Sequence, residues 1–428
     1  MRPDKIDLPK GWELSLLDKV CNRGSGHTPN KKTPSYWNGG IKWISLSDSN
    51  KLDNVYIHNT DKEISQLGIN NSSAVLHKKG TVLLSRDAGV GKSAIMAENM
   101  AVSQHFIAWE CSEKGILDNM YLYYWLQMLK QEFERIAVGS TIKTIGLPYF
   151  KKLRLPHPSL PEQIKISSII NTWDKAIEKI ERLLDFKKKR KKELMQKLLT
   201  GKVRLEQFST KKYSKEPIRG TGKIPSDWKV LHLHGCTEIL MSNVDKKTVA
   251  GERPVRLCNY MDIYNNDIVT PEMDFMKATA KDAAIKKFHL IDDDVIITKD
   301  SEKPDDIAIP AYIKGTFKNV LCGYHLAILR TQKNVLLGSY LHLVLHLKSY
   351  QHYFFSLANG ATRFGLGLES IKKAVIFFPS LQEQEKISEF LFSMQREIEL
   401  LEEEIDVLKK QKKGLMQQLL SGKKRVKI

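Results

Sequence analysis

The feature that most limits how this chain can fold is an internal repeat. PSLPEQIKIS, starting at Pro158, returns as PSLQEQEKIS starting at Pro379, an offset of 221 residues. The same offset carries Leu194-Met195-Gln196 onto Leu415-Met416-Gln417 and the LLTGK ending at Lys202 onto the LLSGK ending at Lys423. Roughly half of the positions from Pro158 to Arg204 are identical to their partners, more than shared composition produces. Upstream the likeness thins to markers: Pro9-Lys10-Gly11-Trp12 against Pro225-Ser226-Asp227-Trp228, and Gly139-Ser140-Thr141 against Gly360-Ala361-Thr362. Like ends with unlike middles describe one scaffold presenting two different surfaces; the plainer alternative is neutral drift of two structural domains.

The repeated segments read as long helices. Ile166, Ile170, Trp173, Ile177, Ile180, Leu184, Leu194 and Leu198 step by threes and fours. In the second copy Ile387, Leu391, Met394, Ile398, Leu401, Ile405, Leu408, Leu415 and Leu419 keep the same 3.5-residue period, which marks a coiled-coil seam. Lys187, Lys191 and Lys412 interrupt it, so the seam is expected to loosen there around snorkelling stems. Gly201 and Gly422 follow the last periodic leucines and end the helices. About 40 residues of helix span roughly 60 Å, comparable to some 15 to 20 base pairs. Packed antiparallel, the two copies give the chain a pseudo-twofold axis.

Charge selects the class of partner. Lys and Arg number 68 against 49 acids, a formal charge of +19, which suits a polyanion. The five cysteines, Cys21, Cys111, Cys236, Cys258 and Cys322, are scattered and form no C-x-x-C pair, as expected of reduced thiols in a cytoplasm. The first 14 residues hold no apolar signal core and no later run is long enough to span a bilayer, so a cytoplasmic location is expected.

Five segments follow: a first recognition domain (1–157), a central helix (158–205), a linker (206–223), a second recognition domain (224–378) and a C-terminal helix (379–428). Ile41-Lys42-Trp43-Ile44, Thr81-Val82-Leu83-Leu84 and Val295-Ile296-Ile297-Thr298 read as strands. One helix is expected near Asn119 to Ile136 and its counterpart near Ser339 to Ser356, an α+β architecture occurring twice. Basic and aromatic residues are interleaved with glycines in GHTP from Gly26, YWNGG from Tyr36 and RDAGVGKS from Arg86. Glycine permits close backbone approach to a duplex, and arginine or lysine contacts phosphates or guanine edges. Candidate DNA contacts are Thr28, Tyr36, Trp37, Arg86, Lys92, Ser93 and Lys143 in the first half, and Lys299, Lys303 and Arg363 in the second.

LPSLPEQ…LMQKLLTGKVR with its second copy, together with GHTP, YWNGG and LLSRDAGVGK, resembles the specificity subunits of Type I restriction-modification systems over nearly the whole chain. That resemblance implies two target-recognition domains, each reading half of a bipartite DNA site. It also implies helices that space them and dock two modification subunits, which methylate adenine. S-adenosylmethionine, ATP and magnesium would then be bound by partner subunits and none by this chain, with restriction subunits added for cleavage. Around Ser242-Asn243-Val244-Asp245 the second domain departs from the family's opening motif, whereas Cys258-Asn259-Tyr260-Met261-Asp262 and Thr298-Lys299-Asp300 look like alternative forms.

No catalytic constellation competes. Gly89-Val90-Gly91-Lys92-Ser93 suggests a P-loop, but Arg86 stands where the first glycine belongs, and a structural or DNA-facing turn is expected. His342 and His346 share a helix face without a metal motif, so packing is expected, and no metal site is assigned. Pro304-Asp305-Asp306 lacks the carboxylate partners of a nuclease, and no aminomethyltransferase motif is present. The chain is therefore expected to be a non-catalytic addressing component. The rival classes are a coiled-coil scaffold for protein or RNA, which would bind duplexes without discriminating sequence, and a self-sufficient methyltransferase, which would label DNA unaided.

Overall fold

The computed structural model describes residues 8–209, 212–214 and 222–428, and the expected linker at 206–223 lies partly outside them. Two compact units result: Met1–Arg182 with Glu402–Ile428, and Leu183–Leu401.

The head of unit one is built on five strands: β1 (Asn22–Ser25), β2 (Tyr56–Ile57), β3 (Val82–Ser85), β4 (Ser93–Met96) and β5 (Phe106–Glu110), in the spatial order β1-β5-β3-β4-β2. In the head of unit two β6 (Thr237–Met241), β7 (Ile268–Val269), β8 (Val295–Thr298), β9 (Pro310–Ile313) and β10 (Leu326–Thr331) repeat that order as β6-β10-β8-β9-β7. The central antiparallel register recurs as well, Phe106 opposite Ser85 in one head and Leu326 opposite Thr298 in the other. Runs such as Val82-Leu83-Leu84 and Val295-Ile296-Ile297 are buried on both faces, so they read as continuous apolar stretches without alternation. Beside each sheet lies a smaller one. Head one adds four strands centred on Trp37–Ile44 and head two adds three centred on Arg253–Cys258, and here the two copies diverge most.

Helices α1 (Asn119–Met128) and α2 (Lys130–Ile136) occupy the stretch expected as one helix, and the counterpart divides into α3 (Gly338–Leu345) and α4 (Lys348–Leu357). The apolar period runs through each break, because both pieces send residues such as Trp125 and Phe133, or Leu343 and Phe354, into one core; the pattern therefore hides the bend. Asp118 caps α1 by accepting from the Tyr121 N–H at 2.8 Å.

The first long helix, α5, spans Leu160–Leu199, and its repeat, α6, spans Leu381–Leu419. They run antiparallel within each unit. In unit one Asp174 pairs with Lys412 and Glu181 with Lys409; in unit two Lys187 pairs with Glu397 and Lys191 donates to Gln395. The lysines expected to loosen the seam thus tie one helix to the other. Ile177, Ile398 and Ile405 are buried in the seam, while Trp173, Ile180, Leu184, Leu401 and Leu408 are half-buried. Seam residues near the helix ends do more. Ile166, Ile170, Leu415 and Leu419 belong to the core of head one, and Leu194, Leu198, Ile387, Leu391 and Met394 to that of head two.

Each junction is closed by the same parts with the helices exchanged. Gly201 (φ +69°) lies under Pro225 and Trp228, and Gly422 (φ +72°) under Pro9 and Trp12. A Cβ on either would come within 2.4 Å of a proline ring carbon, in a backbone conformation that already disfavours L side chains. Gly201→Ala and Gly422→Ala are each expected to cost about 2 kcal/mol or more. Urea denaturation of both variants checks this, and a change within 0.5 kcal/mol, roughly that of an ordinary surface substitution, would contradict it.

Candidate nucleic-acid interface

Where β3 ends, Arg86 and Asp87 continue beside Gln104 and His105, which lead into β5. The Arg86 N–H donates to the His105 carbonyl at 3.0 Å and the Ile145 N–H to the Arg86 carbonyl at 3.0 Å, so three separate segments are stitched at one edge. Nearly buried, the Asp87 carboxylate receives His105 Nδ1 at 2.8 Å and the Thr144 hydroxyl. Above it Val138 and Thr144 exchange both backbone bonds, at 3.0 and 2.9 Å, and close a hairpin. Gly139 (φ +132°) permits that closure, since a Cβ there would meet the Ile142 carbonyl oxygen at 2.2 Å. Ser140, Thr141, Ile142 and Lys143 are left exposed at the tip.

Head two repeats this arrangement through different side chains. The Lys299 N–H donates to the His325 carbonyl at 3.0 Å, the Leu366 N–H to the Lys299 carbonyl at 2.8 Å, and Asp300 receives His325 Nδ1 at 3.0 Å. Asn359 and Gly365 close the hairpin, whose exposed tip holds Ala361, Thr362 and Arg363. Arg86 donates through Nε to the Gln104 carbonyl at 3.2 Å, whereas the Lys299 ammonium lies 4.5 Å from the centre of the Tyr324 ring. In both heads a basic residue, an Asp–His pair and a polar hairpin converge, a combination suited to a phosphate backbone and the base edges beside it.

Among the residues singled out from sequence, the structure brings Thr28, Arg86 and Lys143 to this edge in head one, and Lys299 and Arg363 in head two. Lys303 is exposed on the segment that leaves the edge. Tyr36 ends a short 3-10 helix, Pro34–Tyr36, and Trp37 begins the central strand of the smaller sheet, where its indole donates to the Asn30 carbonyl at 3.2 Å and meets Trp43 edge-on. Two candidates are corrected. Ser93 is fully buried and receives the Gln127 amide at 2.9 Å, so it holds the core together and cannot touch DNA. Lys92 is half-buried and donates its ammonium to the Ser49 carbonyl at 2.9 Å, a use internal to the head. Sequence reading missed both Asp–His pairs and Gln104. The signal was present: each half carries a Ser/Thr, a basic residue and Asp, then a histidine 18 or 25 residues after that Asp.

The family described as the Type I restriction modification DNA specificity domain matches residues 9–186 and again residues 225–410. The chain belongs to that family. The MjaVIII specificity subunit of Methanocaldococcus jannaschii, a Type I restriction enzyme component, is 24% identical across 99% of this chain and 95% of its own. The MjaIX specificity subunit of the same organism is 25% identical, over 53% of this chain and 51% of that one. In fold, the chain resembles the Type I restriction-modification S subunit from M. genitalium (TM-score 0.55, 16% identity, 97% of this chain and 96% of that). It also resembles the HsdS subunit from Thermoanaerobacter tengcongensis (TM-score 0.52, 16% identity, 99% and 100%). As a specificity subunit the chain supplies sequence recognition and not catalysis.

Two motifs of the specificity subunit resolve into structure. Gly89 to Lys92 form the turn of the antiparallel hairpin β3–β4, so no helix N-terminus follows to cradle a phosphate. Among the described residues, no three His, Cys, Asp or Glu side chains gather as metal ligands, and no helix is long and apolar enough to cross a membrane.

His342 and His346 stand edge to face, 4.7 Å apart, inside unit two with Lys191, Asp267, Gln395 and Glu399 around them. Burial pushes both imidazoles below their ordinary range, helped by Lys191 and opposed at His346 by Asp267. Below about pH 6.5 the unfolded chain takes up protons that the folded one refuses, so stability falls with acidification. The fall levels off once pH drops below the folded-state values. Each imidazole contributes at most about 1.4 kcal/mol per pH unit. Urea midpoints are expected to drop between pH 7.5 and 5.5, and His342→Phe to flatten the profile; an equally steep profile in the variant would assign the effect elsewhere.

Proposed function

We propose that this specificity subunit reads a bipartite DNA sequence, one block per head, and directs modification subunits that methylate adenine within it. The observation that supports this most is the same basic, Asp–His and hairpin edge in both heads, fitted with different exposed residues. One scaffold with two sets of readers is what a target of two unlike blocks requires. The net charge of +19 supplies the sequence-independent part of duplex binding. S-adenosylmethionine binds to the modification subunits, while ATP and magnesium serve a restriction subunit where one joins; the complex works in the cytoplasm.

For the docking of a partner, unit one offers a cleft of about 1520 Å³ beside its helices, lined by Asp53, Lys130, Glu178, Lys409 and Lys413 among others. Its mixed charges suit a protein surface better than a small apolar ligand. Exchange of residues 224–378 for the matching segment of another family member is expected to change one block of the modified sequence and leave the other intact. Changes in both blocks would refute the assignment of one block to each head.

A further inference from the structure

We propose that Gln104 is the adenine-reading residue of head one, and that Tyr324 occupies the same reading position in head two. This rests on the bipartite DNA reading above and names the residues through which it operates. A carboxylate only accepts, so the 2.8 Å contact with Asp87 places a proton on His105 Nδ1, and in the tautomer with that single ring proton Nε2 is an acceptor. That nitrogen faces Gln104 Nε2 at 3.4 Å, and the Gln104 oxygen Oε1 receives the Thr28 hydroxyl at 2.6 Å.

Both ends of the amide are therefore held, one by His105 and one by Thr28, and a flip would set the amide oxygen against the accepting His105 nitrogen and lose that bond. Each end keeps unused capacity: one N–H on Nε2 and one lone pair on Oε1. An exposed amide that offers a donor and an acceptor side by side matches the N7 and N6 positions of adenine in the major groove. Its neighbour Arg86 is placed for the adjoining backbone. Thr28, His105 and Asp87 act through Gln104 and are positioning residues, which gives the GHTP segment a physical task.

In head two the frame is kept and the reader is changed. His325 is tied to Asp300 at 3.0 Å, while Tyr324, 49% exposed, sits edge-on to His325 with Lys299 over its face. A phenol offers no bidentate amide edge, so the same position reads a different feature in the second block.

The test uses the full chain in complex with its modification subunit, selecting bound sequences from a random library of synthetic duplexes. The unaltered protein is expected to enrich two separated blocks, one with an adenine that Gln104 specifies. Gln104→Ala is expected to make that single position degenerate, with affinity for the original sequence reduced about 10- to 100-fold and the other block unchanged. Gln104→Glu, which only accepts, is expected to shift the position from adenine toward cytosine. Thr28→Val is expected to keep the adenine and weaken discrimination there. If Gln104→Ala enriches both blocks unaltered, the assignment of Gln104 is overturned while the bipartite reading stands. If the unaltered protein enriches no two-block sequence, the bipartite reading fails first.

Discussion

Arg204→Ala is expected to cost unit two about 3–5 kcal/mol, because it leaves the carboxylate of Glu383 in the protein interior with no countercharge. Glu383 opens the second long helix with a fully buried side chain, and Arg204, 6% exposed, follows the end of the first. The guanidinium donates to both oxygens of Glu383 and also grips Asp227 through bonds of 2.9 and 3.0 Å. Asp227 is half-exposed, so its share is small. The equivalent pair in unit one is Arg425 and Glu162, joined at 2.6 and 2.7 Å. There the arginine is 44% exposed, water can replace it in part, and Arg425→Ala is expected to cost less. Pairing Arg204→Ala with Glu383→Gln is expected to recover part of the loss. Urea denaturation measures all of these, and a loss under about 1 kcal/mol for Arg204→Ala would mean that the junction does not depend on this pair.

The second large effect concerns recognition. Arg86→Ala combined with Lys143→Glu removes one cation from the edge of head one and reverses another at its hairpin tip. Binding to a duplex carrying both blocks is expected to fall about 100-fold, and the dependence of log affinity on log salt to lessen by roughly two units if both residues neutralise phosphates. Mutations in the head-two block should still be discriminated as before. Competition binding on duplexes mutated in one block at a time provides the readout. Equal loss of discrimination in both blocks would contradict a division of labour between heads.

What could be read from residues alone followed the strength of each periodic signal. The long helices were legible because their 3.5-residue seam and terminal glycines repeat, and the doubled α+β plan because the repeat itself is in the chain. Strands such as Val82–Ser85 showed through their apolar runs. The bend between Met128 and Lys130 did not show, since Trp125 and Phe133 keep the helical period across it. Basic residues next to glycines pointed to Arg86, Lys143 and Arg363, which the fold places at the same edge and hairpin tip of their heads. The same rule misplaced Ser93 and Lys92, whose glycine-rich surroundings serve a hairpin turn packed against the core. Gln104 and His105 escaped because their partners Thr28 and Asp87 are distant in sequence, and only the folded sheet brings them together.

The most direct measurement is a base-resolution map of methylated adenine in genomic DNA from cells with and without this gene. A single interrupted sequence, two specified blocks around a gap of constant length, is expected to lose its methylation when the gene is removed. Identical maps, or a lost sequence without a gap, would contradict it.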